Sequence, residues 1–99
     1  MSDEAELLRI GGVFRSVRQQ LGYSQRHVAK LAGISPLRYS EIEAGRSGGR
    51  TTTILLIARS LGLELMFIPR PWVPAVSSLL DPEEMMQAVQ PMADEVDVK

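Results

Sequence analysis

The chain has 99 residues, 44% of them hydrophobic, which suits one compact domain with at most a tail. It contains no cysteine, and this excludes disulfides, thiolate zinc sites and cysteine nucleophiles. The net charge of −1 conceals a division: residues 9–70 hold ten basic residues against three acids, whereas residues 71–99 set Lys99 against six acids and residues 1–8 add Asp3, Glu4 and Glu6.

A basic body suits a polyanionic partner, although charge alone fits a solvated mixed surface equally well. The acidic start lacks the basic n-region of a signal peptide, and no apolar run reaches the roughly 20 residues of a membrane helix. The expected location is the cytosol. A chain of this size is only marginally stable alone, so pairing with a second copy helps it.

Ile10, Phe14, Val17 and Leu21 recur at helical spacing, with Val13 beside them. Leu7 carries the stripe back toward Asp3, an extension that the Gly11-Gly12 pair weakens, and Gly22 closes the helix. Ser24 is the expected N-cap of a short helix whose apolar positions are Val28, Ala29, Leu31 and Ala32. Gly33 ends it. Ser35 caps the next helix, with Pro36 at the first helical position, where its missing N–H costs nothing. That helix runs to about Ala44 with Tyr39 and Ile42 facing inward. The run Gly45-Arg46-Ser47-Gly48-Gly49-Arg50 reads as a flexible loop. Thr51 or Thr52 caps a fourth helix carrying Ile54, Leu55, Ile57, Ala58 and Leu61, and Gly62 closes it. Residues 63–68 read as a strand, stopped by Pro69 and Pro71. Residues 72–80 are apolar and suit a short helix. Asp81-Pro82-Glu83-Glu84 starts another, with Met85, Val89 and Met92 on one face, and residues 93–99 are expected to be disordered.

Two short helices, residues 24–32 and 36–44, joined by a tight turn at Gly33-Ile34, have the helix-turn-helix layout: the first lies across the DNA backbone and the second enters the major groove. Ala29 is small where the helices cross, Gly33 permits the positive φ of the turn, and Ile34 plugs the turn into the core. The N-termini at Ser24 and Ser35 offer N–H groups that suit phosphates.

In this segment Arg18, the run 24–35, and Ile42-Glu43-Ala44-Gly45 resemble the Xre/Cro family of phage-repressor-type regulators. The resemblance covers residues 11–62, with Gln25, Ala29, Gly33 and Leu61 also in register. It implies a mainly all-α, lambda-repressor-like domain of four or five helices that binds double-stranded DNA at an inverted-repeat operator as a transcriptional repressor. Carried over by position, it places Ser24, Gln25 and Arg26 on the first motif helix, with Gln25 touching phosphate and bracing the second. Ser35, Pro36, Leu37, Arg38, Ser40 and Glu41 fall on the recognition helix. Ser35 reaches a base or phosphate, Leu37 suits a thymine methyl, and Arg38 suits guanine or phosphate. Arg46 and Arg50 grip the backbone from the loop. Pro36 and Leu37 stand where many relatives carry polar readers. Glu41 either accepts from cytosine N4 or faces solvent, and the cost of an acid beside phosphates favours solvent. Arg18 and Glu43 resemble a structural salt bridge between the first helix and the recognition helix, and Arg18 also lies within reach of phosphate.

The strand at 63–68 has no partner within the chain, yet its N–H and C=O groups must pair. Two copies can supply each other's partner, which fits two-fold DNA recognition; a core strand or helix extension is the alternative. The string Leu61-Gly62-Leu63-Glu64-Leu65-Met66-Phe67-Ile68 beside an Xre-type motif resembles the HipB-like antitoxin subgroup. That resemblance implies a homodimer joined through Leu63, Leu65, Met66, Phe67 and Ile68, autorepression, and a HipA-like serine/threonine-kinase-fold toxin as partner. The division expected is therefore a DNA-binding domain at 1–62, a dimerisation strand at 63–70 and an acidic tail at 71–99. The tail either docks on a partner through Trp72 and its methionines or folds back on the dimer core.

An enzyme is not expected. His27 is the only histidine and suits solvent or a phosphate, no Cys/His cluster exists for zinc, and the Gly45–Gly49 loop lacks the ending of a phosphate loop. No cofactor is expected, and no ligand pocket is evident. The alternatives to the antitoxin are a stand-alone regulator and a protein-interaction module that no longer binds DNA.

Overall fold

The structure, a computed structural model, describes residues 3–89. Its elements are α1 (Asp3–Leu21), α2 (Gln25–Ala32), α3 (Pro36–Glu43), α4 (Thr51–Ser60), a 3-10 turn (Arg70–Trp72), α5 (Val73–Leu79) and α6 (Pro82–Ala88). Helix α2 packs against both α3 and α4, and α1 packs against α3. The core between them is Phe14 and Val17 of α1, Val28, Ala29 and Ala32 of α2, Tyr39 and Ile42 of α3, and Ile57, Ala58 and Leu61. Ile10, Leu21, Ile34, Ile54, Leu63 and Val89 pack around it, partly buried. These are largely the positions that the helical periodicity selects, because burying that stripe is what stabilises helices this short.

Several expectations are corrected in detail. Helix α1 runs unbroken through Gly11-Gly12. Gly11 is buried against α3: a Cβ there would lie 2.7 Å from the Ile42 carbonyl oxygen and closer still to that of Glu43. The glycine is thus a contact point that lets two backbones meet, and the rest of the helix carries its propensity cost. Val13, beside the α1 stripe, and Leu31, among the apolar positions of α2, are exposed rather than part of the core. Helix α3 ends at Glu43, with Ala44 as its C-cap. Helix α4 is capped by Arg50 without a side-chain bond, so Thr51 and Thr52 are helical residues rather than caps, while Gly62 closes it as expected: at φ 75° it follows the C-cap Leu61, and its N donates to Arg59 O at 3.0 Å. The short helix expected at 72–80 forms as α5, after the 3-10 turn at 70–72, with Pro74 in its first turn, where a missing N–H costs nothing. At α6 the expected cap is present: Glu83 N donates to Asp81 Oδ1 at 2.9 Å.

No strand forms among the described residues. Leu63 N donates to Ala58 O at 2.8 Å, and residues 64–69 continue without helix or ladder. The strand expected at 63–68 is not present in the single chain because one segment has nothing to pair with. The side chains of Met85 and Met92, and residues 93–99, lie outside what the structure describes. No helix among the described residues is long and apolar enough to cross a membrane.

Candidate nucleic-acid interface

The geometry of the α2–α3 pair is set by its caps. Ser24 Oγ accepts from His27 N, and Ser35 Oγ accepts from Arg38 N, each at 3.0 Å. Each serine thereby satisfies one of the orphan N–H groups at its helix start. Between the helices Gly33 takes φ 76° and ψ 29°, a left-handed conformation that a Cβ disfavours. Ile34 N donates to Ala29 O at 3.0 Å, which closes the turn and seats Ile34 on the core.

Helix α3 buries Tyr39, Ile42 and Glu43. Its opposite side carries Ser35, Pro36 and Leu37 in solvent, with Leu37 70% exposed. Arg38, Ser40 and Glu41 are half-buried along its flanks. Arg26, Arg46 and Arg50, on α2 and in the loop after α3, are all exposed. Arg46 N donates to Glu41 O at 2.9 Å, Gly45 N to Ile42 O and Ala44 N to Ser40 O, so the start of the loop closes the carbonyl end of α3.

The inner face of α3 is fastened by one carboxylate. Glu43 accepts from Arg18 Nε at 2.7 Å and Arg18 Nη2 at 3.0 Å, from Gln25 Nε2 at 2.7 Å, and from the Tyr39 hydroxyl at 2.7 Å. Arg18 Nη1 also donates to Tyr23 O at 2.8 Å. Side chains from α1, α2 and α3 thus converge on one buried acid, and no buried side-chain polar atom among the described residues lacks a partner. Burial alone would push the Glu43 carboxyl up, but the hydrogen bonds from Arg18, then Tyr39 and Gln25, outweigh it and hold it below the usual carboxylate range. The same hydrogen bond raises the Arg18 guanidinium, and burial, then the bond to Glu43, pushes the Tyr39 phenol up.

The expected Arg18–Glu43 bridge is therefore formed, and Gln25 braces the recognition helix through it. Tyr39, inward-facing as expected, also joins the cluster through its hydroxyl. The available signal was the Tyr39–Glu43 spacing of four on one helix, which brings the two side chains together. Arg38 is turned to the loop: its Nη1 donates to Ser47 Oγ at 2.8 Å and lies 4.0 Å from Glu41 Oε1. It ties the loop to the recognition helix, and the Glu41 side chain, 38% exposed, lies beside it at the limit of an ion pair. His27 is half-buried, with its ring edge-on to Tyr23 at 4.6 Å between centroids. Leu65, Met66, Phe67 and Ile68 are exposed, and only Leu63 of the expected interface set is partly buried.

Over 67 residues the chain is 30% identical to the uncharacterized HTH-type transcriptional regulator y4dL of Sinorhizobium fredii (strain NBRC 101917 / NGR234). That stretch covers 68% of this chain and 34% of the relative, so the chain spans about a third of the relative's length. No solved structure matches the chain. Residues 14–68, from the middle of α1 to the end of the segment after α4, match the helix-turn-helix family. With its capped α2–α3 pair and left-handed turn inside a match that spans more than half of its length, the chain belongs to the helix-turn-helix family.

Proposed function

We propose that the chain is a sequence-specific DNA-binding transcriptional regulator that acts as a repressor from a homodimer. The observation that carries this reading is the exposed side of α3 around Leu37, on a helix locked from beneath by Tyr39, Ile42 and the Glu43 cluster. A rigid helix with an open face and cations on its flanks is what major-groove reading requires. In this arrangement Ser35, Pro36, Leu37 and Ser40 meet base edges. Arg26, Arg46 and Arg50 meet phosphates. Arg38 reaches DNA from its place against the loop, or fixes the loop so that Arg46 does. Exposed N–H groups at the starts of α2 and α3 add to the phosphate contacts.

The homodimer reading is supported by residues 64–69, which carry backbone without a ladder, beside exposed Leu65, Met66, Phe67 and Ile68. Pairing of 63–68 with a second copy would satisfy that backbone and set two α3 helices on successive half-sites. The finer reading, an antitoxin that also binds a kinase-fold toxin, rests on the resemblance of residues 61–68 alone. The relative's description names a transcriptional regulator and lends the antitoxin reading no support. Co-purification with the product of a neighbouring gene tests it, and failure to bind any kinase-fold neighbour removes it.

Selection from random DNA duplexes, followed by anisotropy titration of the enriched duplex, tests the main reading. The expected product is an inverted repeat with half-site centres about 34 Å apart. Affinity should fall with salt by roughly 0.9 log units per log unit for each phosphate neutralised. No enrichment, or affinity indifferent to salt, would leave the chain an interaction module instead.

A further inference from the structure

Outside the helix-turn-helix unit the chain carries an apolar groove and an apolar arm. The groove, about 660 Å³, is lined by Val13 and Phe14 of α1, Ile54 and Ala58 of α4, and Leu65 beyond them, with Val89 meeting it after α6. The arm, residues 66–80, leaves Phe67 88%, Trp72 65% and Leu79 82% exposed, with Met66, Val73 and Leu80 exposed beside them. No residue of α5 is buried, and its main packing is on the 3-10 turn before it. Pro69 and Pro71 fix the backbone at the arm's base, so it leaves the body on a stiff connector.

The amounts decide what covers these surfaces. From side-chain areas typical of such residues, the arm presents on the order of 800 Å² of apolar surface. That equals the share one partner contributes to a stable interface. Each copy carries both this groove and this arm. A two-fold pair of copies therefore sets each arm against the groove of the other copy. We infer that the arm of one copy lies in the α1–α4 groove of a second copy, which returns the contact. This rests on the homodimer reading and extends it: the strand pairing at 63–68 continues into an exchange of the segments that follow.

Trp72 is the chain's one tryptophan, so its emission reports the arm directly. The experiment dilutes the full chain while following sedimentation and tryptophan emission, for wild type, Val13→Glu in the groove and Leu79→Glu on the arm. Both sites are exposed in the single chain, and circular dichroism checks that both variants keep their helices. The dimer should emit to the blue of the monomer. Each variant should self-associate roughly tenfold or more weakly, with Trp72 of Val13→Glu remaining red. An equimolar mixture should associate more tightly than either variant alone, because it pairs one intact groove with one intact arm. A wild-type dimer whose emission does not change on dissociation, with both variants associating normally, overturns the exchange and leaves the strand pairing in place. A wild-type chain that stays monomeric at all concentrations overturns both. Blue emission from the monomer itself overturns the exchange in favour of an arm folded on its own groove.

Discussion

Glu43 holds its charge in a buried site only because Arg18, Gln25 and Tyr39 all donate to it. Removing it leaves Arg18 partly buried without its carboxylate, a loss of roughly 3 kcal/mol. That is a large part of the stability of a domain this size. Glu43→Ala should therefore lower the melting temperature steeply while leaving the preferred DNA sequence unchanged; an unaltered melting temperature with a new preference contradicts the scaffold role. The pH dependence has a definite sign. A carboxyl lowered on folding contributes stability that is present above its unfolded pKa and lost as pH falls through its folded one. The stability gap between wild type and Glu43→Gln should thus be widest near neutrality and shrink below about pH 4.3, the ordinary glutamate value. A gap that is constant down to strong acid contradicts it. The two adjacent glycines supply a second contrast. A Cβ at Gly12 meets nothing within 4 Å, whereas one at Gly11 meets α3 backbone. Gly12→Ala should stabilise by about 1 kcal/mol, and Gly11→Ala should destabilise by about 1–3 kcal/mol. Thermal unfolding that moves both variants the same way contradicts the close α1–α3 approach.

At the scale of elements, the caps at Ser24 and Ser35, the turn at Gly33 and the inward Tyr39 and Ile42 were legible because each is a local signal within a few residues. The role of Gly11 was not, since the Ile42 and Glu43 carbonyls it meets lie about thirty residues away and nothing near Gly11 announces them. The Arg18–Glu43 bridge came from resemblance; the Gln25 contact needed the crossing of α2 and α3, whereas the Tyr39 contact lies four residues along one helix and was open to a spacing argument. Arg38 shows a different limit. Its type and position suit DNA, but the loop it touches through Ser47 has no periodicity from which its path could be read. For the recognition element, Arg38→Ala with Arg46→Ala should weaken binding to the enriched duplex and lower its salt slope, with unfolding midpoint nearly unchanged. Leu37→Ala should instead alter preference at one base position of each half-site, by about 1–3 kcal/mol at most. Equal affinity in the double variant contradicts the docking proposed for α3 and its loop.

At the scale of the whole molecule, the strand at 63–68 was legible as a pattern and cannot exist in one chain, because a ladder is a property of two segments. Leu65, Met66, Phe67 and Ile68 stand exposed for the same reason. If two copies pair there, the melting temperature should rise with protein concentration. Met66→Pro, which deletes an N–H from the segment, should weaken the dimer and operator binding together without loss of helix content. A concentration-independent melting temperature in both proteins contradicts the pairing.

The outward presentation of α3 is the claim on which the functional reading turns, and backbone amide resonances during titration with the enriched duplex test it most directly. Shifts should concentrate on Ser35, Leu37, Arg38, Ser40 and Glu41, with smaller ones at Arg26, Arg46 and Arg50 and little change at Ile57 or Leu61 in the core. Shifts that gather on α1, α4 and the arm, with α3 silent, would contradict it.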